Sequence, residues 1–245
     1  MYHAIKSLLM RYFPGTISRF EFPIRKILAI FYRGNKVFCN VCERNLSHFI
    51  YHDTGDYICP ACGSLGRHRR LWFVLQDAAK PVNEAFILHF SPSKIIQKKL
   101  KALHPNYTTT DYDGKLKVDK AHDITNIDAA DHSFDLIICY HVLEHIIEDS
   151  KAISELYRIL RVGGMLMVQT PFKEGEIYED FTIQSSEGRK KYFGQEDHVR
   201  IYSIQGLRNR LEDHGLLVEE LFFEEKKGNY MGLKLKESIL LCRKS

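Results

Sequence analysis

No stretch of the 245 residues reaches the roughly 18–20 consecutive apolar positions of a membrane-spanning helix. The N-terminus also lacks the pattern of a secretory leader. Its apolar stretches are broken by Arg11, Arg19 and Arg25, and no small-residue cleavage site follows one of them. Repeats and low-complexity tracts are absent, and a hydrophobic share of 44% is that of an ordinary globular chain, which excludes disorder. The expectation is a cytoplasmic protein with room for one α/β domain and a small appendage.

Charge of one sign is scarce outside a single segment. The formal net charge is +4. Residues 1–36 hold seven basic side chains (Lys6, Arg11, Arg19, Arg25, Lys26, Arg33, Lys36) against Glu21, so the other 28 basic and 30 acidic residues nearly cancel. A body this neutral lacks the basic face that grips a nucleic-acid backbone. The 1–36 arm sets Leu8, Leu9, Met10, Phe13, Ile24, Ile27, Leu28, Ile30 and Phe31 between its basic residues, with breaks at Pro14-Gly15 and Pro23. Such an arm either makes peripheral contact with anionic lipid on the inner face of the membrane, or packs on the body with its basic face in water.

The six cysteines are not spaced as a disulfide framework. Cys39-Asn-Val-Cys42 and Cys59-Pro-Ala-Cys62 are separated by sixteen residues, the spacing of a zinc ribbon over residues 37–63. Two such knuckles complete a tetrahedron of thiolates, and a closed shell of four leaves no open position, so the ion is structural. Gly63 supplies the permissive backbone the second knuckle needs. Cys139 and Cys242 lie in apolar, strand-like runs.

A helical pattern over Ser64–Lys80 places a linking helix in 64–83, with Arg67, His68, Arg69 and Arg70 among its apolar residues. From residue 84 to 245 the chain alternates as a parallel sheet does. Strands are expected at Ala85–Phe90, Tyr107–Thr110, Phe134–Tyr140, Gly164–Gln169, Leu216–Phe223 and Leu233–Arg243, and helices at Ser93–Leu103, Ser150–Leu160 and Ile204–His214. Residues 171–202 break the alternation. They are polar and aromatic and leave the carboxyl end of a strand, where open α/β sheets bind ligands, so they are read as a lid.

The string His132-Ser-Phe-Asp-Leu-Ile-Ile-Cys-Tyr-His-Val-Leu-Glu-His145, followed by Glu155-Leu-Tyr-Arg-Ile-Leu-Arg-Val-Gly-Gly164, resembles the class I S-adenosylmethionine-dependent methyltransferases. The likeness is to their small-molecule "type 11" branch, which includes the ubiquinone-biosynthesis enzymes. It implies an α/β, Rossmann-like seven-stranded sheet, six strands parallel and one antiparallel, with helices on both faces and Leu233–Arg243 as the antiparallel strand. It also implies S-adenosylmethionine as cofactor. Asp111 then receives the ribose hydroxyls, with Asp113 as the substitute, and Asp123 with the Ile124 amide reads the adenine. Tyr140 and His141 fall beside the sulfonium. Where the family has acid-x-Gly-x-Gly after its first strand, this chain reads Leu88-His-Phe90-Ser91-Pro-Ser93. Ser91 and Ser93 then offer hydroxyl and amide donors to the methionine carboxylate. That Leu-His-x-x-Pro turn behind a zinc ribbon resembles a bacterial subgroup associated with glycan biosynthesis.

Methyl transfer needs alignment and a base. His141, Glu144 and His145 are candidates, and a helix opening at Val142 would put both histidines on one face. A second cluster is Asp197, His198 and Arg200: Asp197 to hold the His198 tautomer, Arg200 to bind an anionic group of the acceptor or to anchor the lid. The expected acceptor is an oxygen or nitrogen of a small-molecule, sugar or lipid-linked compound. The alternatives are RNA docked through the zinc module and Arg67–Arg70, or a non-catalytic binding protein on a degenerate cofactor fold.

Overall fold

The computed structural model describes residues 25, 27, 29–51, 55–112, 116–225 and 228–245. Most of the basic arm, and Asp113, lie outside the described residues. No helix among the described residues is long and apolar enough to cross a membrane. The chain divides into two compact units, Met1–Phe73 with Glu225–Leu235, and Val74–Glu224 with Lys236–Ser245.

In the first unit, β1 (Arg33–Cys39) pairs antiparallel with β2 (Arg44–Leu46), and β3 (Ile50–Tyr51) with β4 (Tyr57–Ile58). The two cysteine knuckles converge. Cys39 and Cys62 sulfurs are 3.7 Å apart, and those of Cys42 and Cys59 3.8 Å. A tetrahedron with Zn–S bonds of about 2.3 Å has edges of about 3.8 Å, whereas a disulfide is about 2.05 Å long. The four thiols are therefore a site for structural zinc. The Ser64 hydroxyl oxygen lies 3.3 and 3.2 Å from the Cys39 and Cys62 sulfurs. Gly63 has φ +80°, and a Cβ there would strike the Arg25 guanidinium.

Helix α1 (Gly66–Gln76) is shorter than the 64–80 pattern suggested. Its first N–H, on Gly66, donates to Asp56 Oδ1 at 3.0 Å. Of Arg67–Arg70, expected as part of an RNA-docking face, Arg69 and Arg70 point inward and are buried. Arg69 donates to the carbonyls of Ser64 and Tyr57 on the zinc side, and to those of Met231 and Gly232, all at 2.6–2.8 Å. Its plane lies over Phe49, 4.2 Å from the ring centroid. Burial pulls the Arg69 pKa down, and the neighbouring Cys39, Cys59 and Asp56 act the other way. Arg70 pairs with Glu225 at 2.5 Å. Residues 229–233 are thus fixed through the zinc knuckles, and stripping the metal with a chelator should raise amide exchange at 39–62 and 229–233 together. Hydrogen-exchange mass spectrometry reads this directly, with the central strands of the second unit staying protected.

The second unit follows the expected alternation: β5 (Ile87–Phe90), α2 (Lys94–Leu103), β6 (Tyr107–Thr110), β7 (Phe134–Tyr140), a single 3-10 turn Leu143–His145, α3 (Asp149–Ile159) and β8 (Leu160–Gln169). Residues 171–202 are ordered, as β9 (Phe172–Lys173), β10 (Tyr178–Glu179) and α4 (Ser186–Phe193). With β11 (Arg200–Ser203) the short strands form a small sheet of order β10-β11-β9. Then come α5 (Ile204–Asp213), β12 (Leu216–Glu224) and β13 (Lys236–Lys244). The main sheet runs β12-β13-β8-β7-β5-β6, with β13 antiparallel to both neighbours and β6, β5, β7 and β8 parallel. It has six strands; a further edge strand beside β6 is reduced to one parallel bridge between Thr110 and Lys120. Strand β5 is buried throughout and β7 over its last five residues, as strands covered on both faces are. α3 buries Ala152, Ile153, Leu156 and Ile159, and α5 buries Leu207 and Leu211, against Leu88, Ile137, Leu166 and Leu240 of the sheet.

The sheet also buries polar groups, His89 among them. His89 on β5 is buried, with Nδ1 2.9 Å from the Tyr107 hydroxyl, and burial pushes its pKa down to about 3. Below pH 6.5 the unfolded chain takes up a proton that the folded one refuses. Stability is therefore lost at about 1.4 kcal/mol per pH unit as pH falls from 6.5 toward 3. Denaturant titrations at pH 6.5 and 5 should show the wild type losing about 2 kcal/mol more than His89→Gln over that interval.

Candidate active site

The carboxyl ends of β5, β6 and β7 open on one cavity of about 620 Å³. Phe90 ends β5 and Ser91 follows with φ +46°, a left-handed turn taken without glycine. The Ser91 N–H donates to the Thr110 carbonyl at 2.8 Å, and its hydroxyl to Asp111 Oδ1 at 2.6 Å. Asp111, one residue past β6, is thereby aimed into the cavity with one oxygen oriented. Asp123 and Ile124 line the same space. One Asp123 oxygen accepts from the N–H and hydroxyl of Thr125, both at 2.8 Å, and these bonds hold its pKa below the usual carboxylate value.

At the end of β7 the backbone turns sharply at His141, φ +55°, whose N–H donates to the Gln169 carbonyl at 2.8 Å. The 3-10 turn that follows is too short to set His141 and His145 on a common helix face, so the expected pairing is replaced. His141 Nδ1 is 3.2 Å from Glu144 Oε1. Glu144 is only 1% exposed. Burial pushes its pKa up, but the His141 hydrogen bond and charge outweigh that and hold it below the usual value. His145 turns the other way, its Nδ1 3.3 Å from the Asp197 carbonyl and 3.4 Å from Asp197 Oδ2. It also meets His198 edge-on, with ring centroids 4.7 Å apart. His198 is buried, donates Nδ1–H to the Phe193 carbonyl at 3.2 Å, and has a pKa lowered chiefly by that burial.

The cavity wall therefore gathers Phe90, Ser91, Asp111, Asp123, Ile124, His141, His145 and Asp197. Ser93, Tyr140, Glu144, His198 and Arg200 stand outside that lining. Ser93 occupies the N-cap of α2, but its buried hydroxyl has no partner among the described residues. Tyr112, His122, Thr125, Val142 and Ile146–Glu148 also line the cavity and were not singled out from the sequence. They are loop residues beside the strand ends, and only their adjacency to Asp111, Asp123 and His145 could have marked them.

Arg200 is not placed to meet an anionic ligand. Its side chain is 1% exposed and donates to the Ile146 carbonyl, to the Ile147 carbonyl at 2.9 Å and to Glu179 at 2.8 Å. Asp149, 3.3 Å away, also takes Arg210 and the Tyr202 hydroxyl. Arg200→Lys keeps the charge but loses the planar fork. It should destabilise the fold by about 3 kcal/mol or more in urea titrations and raise amide exchange at residues 143–147.

A mostly parallel sheet of this order, with one antiparallel strand and an acid closing the strand beside the first, is the class I S-adenosylmethionine-dependent methyltransferase fold. The residues fit that cofactor: an oriented, buried carboxylate for a diol, and a cavity of ordinary ligand size. Residues 73–168 match the family model of a methyltransferase domain. A Mycolicibacterium smegmatis protein described as "Probable S-adenosylmethionine-dependent methyltransferase" is 34% identical over 105 residues, which is 42% of this chain and 37% of that protein. A solved S-adenosylmethionine-dependent methyltransferase of Mesorhizobium loti shares the fold with a TM-score of 0.52 at 12% identity, over 71% of this chain and 97% of its own. The YcgJ protein of Bacillus subtilis does so with a TM-score of 0.51 at 13% identity, over 73% and 99%. The chain spans 37% and 28% of the lengths of the two curated relatives it matches.

Proposed function

We propose that the protein transfers a methyl group from S-adenosylmethionine to an oxygen or nitrogen of a small-molecule acceptor, a sugar or lipid-linked glycan included. The reading is carried by one observation: the oriented carboxylate of Asp111 and the imidazole of His141 line the same cavity at the carboxyl edge of the sheet. The bound cofactor supplies a methyl group on a sulfonium, open to in-line displacement. Asp111 accepts the ribose hydroxyls while Ser91 fixes its carboxylate. Asp123 and the Ile124 amide face the adenine. Phe90, Ser91, Ser93 and Tyr140 belong to the turn and strand end around the methionine portion.

His141 is the base. Its Nδ1–H donates to the buried Glu144 carboxylate, which fixes the tautomer and favours the imidazolium. The near-neutral body and the inward-facing Arg69 and Arg70 favour a small acceptor over RNA. The free thiols suit a reducing, cytoplasmic compartment, and exposed Ile27, Ile30 and Phe31 at the end of the basic arm suit contact with lipid.

Calorimetric titration of zinc-loaded protein with S-adenosylmethionine and its demethylated product should show micromolar binding that weakens about a hundredfold or more in Asp111→Ala, the loss of two charge-assisted hydrogen bonds. His141→Gln should keep that binding and lose turnover. Wild-type binding by Asp111→Ala would refute the cofactor site, and absence of binding at millimolar ligand would favour a scaffold.

A further inference from the structure

Methyl transfer as proposed uses His141 and one oxygen of Glu144. Beside them stand three groups it does not use: the second Glu144 oxygen, His145 and His198. One ligand-capable atom from each lies within 4.8 Å of the others. Around a divalent ion with bonds of about 2.0–2.2 Å, neighbouring ligand atoms sit about 3–3.5 Å apart, so the three need to draw in by at most about 1.3–1.8 Å.

Each donor is already prepared for a cation. Glu144 Oε1 faces His141, whereas Oε2 is buried with no hydrogen-bond partner among the described residues. A sealed carboxylate oxygen without a donor is costly, and a bound cation is the partner that removes the cost. His145 Nδ1 and His198 Nδ1 each face a backbone carbonyl, at 3.3 and 3.2 Å. A carbonyl accepts only from an N–H, so both rings carry a proton on Nδ1, and Nε2 is the ligand nitrogen of the neutral ring. Metal-bound histidines are held in this way, with the second nitrogen donating to an oxygen. The Asp197 carboxylate, 3.4 Å from the His145 Nδ1, adds negative charge behind that ring. The Val199 N–H donates to the Glu144 carbonyl at 2.9 Å and ties together the two chain segments that carry the ligands.

We propose that Glu144, His145 and His198 bind a divalent transition-metal ion of the zinc or iron(II) kind, separate from the four-cysteine zinc. Two imidazoles and one carboxylate are the donor set such ions take, and three protein ligands leave positions open. His145 and Asp197 also line the cavity, so the ion borders the space where an acceptor would enter. An acceptor hydroxyl or carboxylate oxygen is the ligand class for an open position, where a hydroxyl would be oriented and acidified. That last role rests on the methyl-transfer reading; the binding of the ion does not.

The test uses the full chain with its cysteine site saturated with zinc, titrated with Co²⁺ as the spectroscopic probe. One equivalent should bind with weak ligand-field bands and without the intense thiolate-to-cobalt absorption that exchange into the cysteine site would give. His145→Gln, at a part-exposed position, should weaken this binding about a hundredfold, and Glu144→Gln should abolish it. Absence of a second equivalent in the wild type overturns the proposal, as does a second equivalent undiminished in both variants. S-adenosylmethionine affinity measured on the same samples separates failure of this site from failure of the methyl-transfer reading.

Discussion

A guanidinium sealed from water must be surrounded by acceptors, and at Arg200 the acceptors are the backbone of the loop that walls the cavity. An unpaired buried charge is destabilising by several kcal/mol. The Ile146 and Ile147 carbonyls therefore turn toward Arg200, with Glu179 and Asp149 completing the set. With those carbonyls fixed inward, residues 145–148 are fixed against the cavity. Asp149 opens α3 and Arg210 lies on α5, so their ion pair carries the same constraint into the sheet's helical cover. Within the insertion at 171–202, Glu179 and Arg200 are committed to this network.

How far the sequence could be read follows from what kind of force set each element. β6 and β7 fall on the residues expected because continuous apolar or β-branched runs between helices have one stable placement, buried on both faces. The zinc knuckles were legible because thiolate spacing is itself the geometry. β8 begins four residues before the expected Gly164, since α3 passes straight into it at Leu160 and the glycine pair lies within the strand. The burial of Arg69, Arg70 and Arg200, the last already open as a lid anchor, was not legible for a common reason. Composition counts charges but does not say which are paired, and all three are matched by partners distant in the chain. The seven basic residues of the arm, by contrast, include only a few among the described residues, of which Arg25 is buried.

The cofactor turn shows how a missing residue type is replaced. Glycine is ordinarily used where backbone must take positive φ near a ligand, because a side chain in that region is strained by about 1–2 kcal/mol. Ser91 takes φ +46° all the same. Two hydrogen bonds offset the strain: its N–H to the Thr110 carbonyl across β5 and β6, and its hydroxyl to Asp111. The first closes the turn as a glycine would. The second does what glycine cannot, since it sets the rotamer of the acid that the resemblance assigns to the ribose. His141 repeats the solution at the neighbouring strand end, with φ +55° held by the Gln169 carbonyl and the ring held by Glu144. Both strained residues are polar, both are fixed by a strand neighbour and by a carboxylate, and both face the cavity. Strain of this kind persists only where surrounding bonds over-determine it, and it concentrates at functional sites. Two strained and doubly bonded residues at one cavity edge argue for a retained ligand and against decay of the fold into a scaffold.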